Sequence, residues 1–155
     1  MNSRLPFALI AASLMLFLTP PAQSAEALDA DVYGSYSGFL RASGPNGYSS
    51  AFQLSFTPTL QLSVNYRIRR IAVREVYQFS TNGSFVGTAR ARGRLLVTYS
   101  GTWSNTARMI RASGTTRSQN GRKSNFSARI DFGAGTIQTL SRSGSGVLRV
   151  SGVKS

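Results

Sequence analysis

Arg67, Arg69, Arg90, Arg92, Arg94 and Arg129 fall on the polar phase of alternating segments. Guanidiniums placed that way support one kind of chemistry, the bidentate capture of phosphate, carboxylate or sulfate. Arg90, Arg92 and Arg94 are expected to form a row along one strand, projecting to one side roughly every 7 Å. They belong to a large excess of cations: 18 Lys+Arg stand against 5 Asp+Glu, a formal net charge of +13, and only Lys123 and Lys154 are lysines. Such a balance predicts an anionic partner.

Other chemistry is poorly supplied. The chain has no His and no Cys. Ser-His and Cys-His nucleophile arrangements are therefore excluded, and a zinc site lacks its usual ligands. No catalytic residue, metal or cofactor is expected. Glu75 and Asp131 could in principle serve as acid and base. Among so many arginines, each is expected instead to be an ion-pair partner. Glu26, Asp29 and Asp31 lie in or beside the start of the mature chain, where a carboxylate is normally solvated. The glycines sit between strands and not before a helix, so no phosphate loop is present. The chain reads as non-enzymatic.

The elements that must carry these arginines have a period of two. Phe52, Leu54 and Phe56 alternate with polar residues, as do Leu60, Leu62, Val64, Tyr66 and Ile68. Ala89, Ala91, Gly93, Leu95, Val97 and Tyr99 read as one further strand, and Phe126, Ala128, Ile130 and Phe132 as another. Alternation of this kind puts one face on a core and the other in water. Phe52, Phe56, Tyr66, Tyr99, Phe126 and Phe132 are then core; Tyr33, Tyr36 and Tyr48 have no clear phase and are expected to be more exposed. Between Arg67 and Phe79 the apolar phase slips. A β-bulge or tight corner at Arg69-Arg70 would produce the slip, and a short helix is the rival. Asn46-Gly47, Asn82-Gly83 and Asn120-Gly121 are hairpin signals. The fold expected is a single antiparallel up-and-down β-barrel, or barrel-like sandwich, of about eight or nine strands.

Residues 1–25 read as a cleaved secretory signal peptide. Arg4 precedes an apolar run from Leu5 to Leu18, Pro20-Pro21 breaks it, and small residues follow up to Ala25. The run is shorter than the ~20 residues a membrane-spanning helix needs. A flexible segment is expected over 26–32 and the barrel over 33–153. Export without a single Cys favours a bacterial periplasm or extracellular space, and it argues against cytoplasmic nucleic acid as a partner.

Phe79-Ser80-Thr81-Asn82-Gly83-Ser84-Phe85, followed by Tyr99-Ser100-Gly101-Thr102-Trp103, resembles small exported bacterial lipocalin-like domains. The resemblance implies a calycin-type barrel that holds a small apolar ligand. The family carries its G-x-W on the first strand and this chain carries it mid-chain, so no functional residue is carried over. Trp103 is expected to plug the barrel or fill its core. Three readings follow. The basic strand face binds an anionic envelope component: lipopolysaccharide, a phospholipid headgroup or an acidic glycan. Alternatively the cavity carries a small apolar ligand, or the chain is a small integral outer-membrane barrel.

Overall fold

The computed structural model describes residues 26–44, 47–144 and 146–155, so the expected signal peptide and Asn46 of the first Asn-Gly pair lie outside them. After a short 3-10 helix, Ala30–Val32, ten strands follow: β1 Gly34–Ser43, β2 Tyr48–Phe56, β3 Gln61–Ile68, β4 Ile71–Phe79, β5 Ser84–Ala91, β6 Arg94–Thr106, β7 Met109–Ser118, β8 Lys123–Phe132, β9 Thr136–Ser143 and β10 Gly146–Lys154. Each pairs antiparallel with its sequence neighbours, and β1 pairs with β10 to close the barrel. The end bearing the β1–β2, β3–β4, β5–β6, β7–β8 and β9–β10 turns is called upper here.

The barrel has ten strands rather than eight or nine, and the stretch around Arg92 shows why. Arg92 and Gly93 adopt φ of 49° and 77°, the positive pair of a two-residue hairpin turn, so β5 ends where a continuous strand was expected. A two-residue turn reverses the parity of inward positions, because Ala91 pairs with Arg94. A bulge then leaves Leu96 unpaired between Arg90↔Leu95 and Ala89↔Val97, which restores the parity. The two flips cancel, and the apolar alternation runs unbroken through a hairpin. At Arg69-Arg70, with φ of 45° and 72°, no bulge follows and the phase slips visibly. The slip marks a hairpin turn between two strands, and no helix forms there.

The lower end is plugged. Val32, fully buried, enters the barrel from the 3-10 helix, and its carbonyl accepts the buried Tyr36 hydroxyl at 2.7 Å. Phe56 stacks on Phe132 and meets Tyr33 and Phe79. Arg108, in the β6–β7 turn, donates to Asp29 and Asp31 at 2.9 Å each and to the carbonyls of Phe132 and Gly133. The segment expected to be flexible is therefore docked, held by a buried apolar side chain and one forked guanidinium. Tyr36, expected near the surface, is buried beneath it.

The two stretches that carry the lipocalin resemblance meet. Trp103 on β6 is buried, its backbone N–H donates to Gly83 at 2.8 Å and its indole N–H to the Ser80 carbonyl at 2.8 Å. Asn82 supports the same turn by accepting from the Ser84 N–H at 3.0 Å.

Candidate functional site

Two regions carry chemistry: the outer wall and the upper interior. On the wall, the predicted row does not exist as a row. Arg90 is on β5, Arg92 in the turn and Arg94 at the start of β6, because the chain reverses between them. Arg69 is likewise in a turn, while Arg67 points outward from β3. These five residues share the upper ends of β3 to β6. Arg129 is distant from them, on β8, where it is paired with Asp131 at 2.8 Å.

Register creates a different arrangement. Arg41 on β1 is directly opposite Arg149 on β10, and Arg149 is opposite Leu140 on β9. Leu140 is opposite Arg129 on β8, which is opposite Arg111 on β7. The cations thus run across five strands rather than along one, with Leu140 at the centre. Phe39, 74% exposed, lies two residues from Arg41 on the same outward phase. Shallow grooves lie on both sides of Leu140, lined by Arg111, Arg129 and Arg142 on one side and by Phe39, Arg41, Arg149 and the carboxylate Asp131 on the other. Arg74↔Arg90 and Arg117↔Lys123 are further like-charge pairs. Side chains directly opposite on one face stand about 4.5–5.5 Å apart at Cβ, and like charges there are destabilising. Among the described residues the ion pairs are Arg108 with Asp29 and Asp31, and Arg129 with Asp131.

Inside the barrel a cavity of about 270 Å³ extends from Phe79, Phe85 and Ile110 to the upper rim at Ser43 and Ser143. Glu75, expected as an ion-pair partner, projects into it from β4 on the phase of Val73, Tyr77 and Phe79, and is buried. Its partners are tyrosines. Tyr66 donates to Oε1 and Tyr77 to Oε2, each at 2.7 Å, and Tyr99 donates to Oε1 at 3.5 Å. Burial, and then the charge of Glu75, raise the Tyr66 and Tyr99 hydroxyls above the usual tyrosine range and Tyr77 well above it. Neutral hydroxyls are what a carboxylate needs as donors. Tyr48, expected to be exposed, instead lines the cavity and stacks on Tyr66 at 6.1 Å. Gly87 makes room for Tyr77, since a Cβ there would lie 2.5 Å from the Tyr77 ring. Asp131 faces outward beside Arg129, so Glu75 and Asp131 do not form an acid–base pair.

No protein-family model, curated protein or solved structure matches the chain in comparisons.

Proposed function

We propose that this protein is a non-enzymatic, exported β-barrel that binds an anionic envelope component through the cationic wall formed by β7, β8, β9, β10 and β1. The observation that carries this reading is the direct opposition of Arg41 with Arg149, neither in an ion pair among the described residues; Arg111 also faces Arg129, whose charge Asp131 already shares. A sheet gains nothing from facing like charges, whereas two guanidiniums at that separation suit one phosphate or carboxylate. The exposed Phe39 and the central Leu140 add apolar contact, as a lipid-linked or glycan anion would use. Reading the site across the strands replaces the Arg90–Arg94 row as its centre. The same wall speaks against a lipid-embedded barrel. Its outward residues include arginine, serine, threonine and glutamine while most of the large apolar side chains face inward, the reverse of what a bilayer requires.

Heparin retention and binding to phosphatidylglycerol vesicles, each followed through a salt series, test this reading and separate glycan from lipid. Replacing Arg41, Arg111 and Arg149 together by Ser is expected to lower the eluting salt concentration more than replacing Arg90, Arg92 and Arg94, although both variants lose three charges. Equal losses would show that only bulk charge matters.

The cavity favours a second reading, a carrier of a small ligand. Its lining is largely apolar, with polar groups gathered at the Glu75–tyrosine cluster and along Thr139, Ser141 and Ser143 of β9, and a few placed polar groups in an apolar cavity are how small-molecule sites are built. Binding there should hardly respond to salt.

A further inference from the structure

The cavity contains a feature that an apolar ligand alone leaves unused. Glu75 shares its cavity with the apolar side chains of Leu40, Leu54, Leu62, Val64 and Phe126, and its described polar partners are hydroxyls. Hydroxyl donors stabilise a buried carboxylate without neutralising it, and an uncompensated charge in such surroundings is costly. The protein's arginines are abundant, yet none takes part in an ion pair with Glu75 among the described residues. Arg142, at the upper edge of the cavity, is exposed. A carboxylate offers about four lone-pair sites, and the three hydroxyls, one of them distant at 3.5 Å, leave room for another donor. Two aromatic pairs flank the group: Tyr48 with Tyr66, and Tyr77 with Tyr99 at 5.1 Å. Ring faces attract cations, and desolvation strengthens that attraction.

We propose that the cavity binds a small ligand with an amine or quaternary-ammonium head and an apolar body. The head sits against Glu75 between the two tyrosine pairs. The body occupies the aliphatic lining below the rim. This rests on the carrier reading and gives its ligand a charge. It also assigns opposite preferences to the two regions, since the wall takes anions and the interior repels them.

Isothermal titration of the mature protein with ligands sharing one tail tests this: hexylamine, hexyltrimethylammonium, hexanol and hexanoate. At least one cation should bind about tenfold or more tightly than hexanol, with hexanoate the weakest. Glu75→Gln should bring the cations level with hexanol while leaving hexanol binding unchanged. If hexanol matches the cations on the unaltered protein, the carrier reading stands and the cationic head is wrong. If no ligand binds, both are wrong. Circular dichroism establishes whether Glu75→Gln folds; should it not, the head-group series on the unaltered protein decides alone. Tyr99→Phe keeps the ring and frees a lone pair of Glu75, so it should preserve the preference for cations. Its loss in a folded Tyr99→Phe protein would overturn the proposal.

Discussion

The lower and upper halves of the barrel treat charge in opposite ways. Below, Asp29 and Asp31 share Arg108, Asp131 holds Arg129, and a buried valine completes the seal. Above, arginines occupy turns and face one another across strands, while the interior encloses a carboxylate held by tyrosines. The lower half is arranged as a stability element, with the carboxylates of Asp29, Asp31 and Asp131 answered from within the chain. The upper half and the wall leave charges for something else to answer. Backbone strain is shared by both halves: Arg69, Arg70 and Arg92 adopt positive φ in upper turns and Leu60 in the lower β2–β3 turn, where Asn or Gly would be less strained.

Three measurements test this contrast. The largest effect is expected from Phe56→Ala, which removes the ring stacked between Phe132 and Tyr33 in the lower seal. It should cost about 3–5 kcal/mol in denaturant unfolding, and a loss under 1 kcal/mol would mean that the seal contributes little to stability. Next is a rise to about pH 10.5, which acts on the upper interior. Tyr66, Tyr77 and Tyr99 have hydroxyl pKa values raised above the ordinary 10.0 by folding. Below about pH 10 they are protonated in both states and stability is unaffected. Above it the unfolded chain releases protons that the folded one retains, so stability falls by roughly 1.4 kcal/mol per tyrosine per pH unit. Tyrosinate absorbance from this cluster should therefore appear only together with unfolding. The smallest effect is on the wall. Arg149→Ser relieves the repulsion with Arg41 and should stabilise the barrel by about 0.2–1 kcal/mol at low ionic strength, the gain fading in high salt. Destabilisation would show that the pair is already compensated within the chain.

Much of this fold was legible from alternation, which put Phe52, Phe56, Tyr66, Phe126 and Phe132 inside correctly. The strand number was not, because a two-residue hairpin and a one-residue bulge cancel in parity around Arg92. That same cancellation disguised three arginines as a row. The wall was hidden for another reason. Arg41, Arg111, Arg129 and Arg149 are scattered in sequence, and only pairing register places them side by side. Glu75 did leave a trace, since it lies on the phase of Val73, Tyr77 and Phe79. A charge on an apolar phase signals an interior polar group, but the slip at Arg69-Arg70 obscured which phase was apolar.

The closure of β1 against β10 has a consequence for how the molecule assembles. Every other pairing joins sequence neighbours and can zip up as a hairpin, whereas Leu40 and Val150 must meet from opposite ends of the barrel sequence. Loop-closure entropy makes that seam the costliest pairing to close. Until it shuts, β1 and β10 are open edges able to recruit another molecule. Arg41 and Arg149 stand on those two edges. The charges that repel across the finished seam therefore guard the unfinished one against aggregation, and an anion bridging them would act as a late clasp that draws the two ends of the chain together.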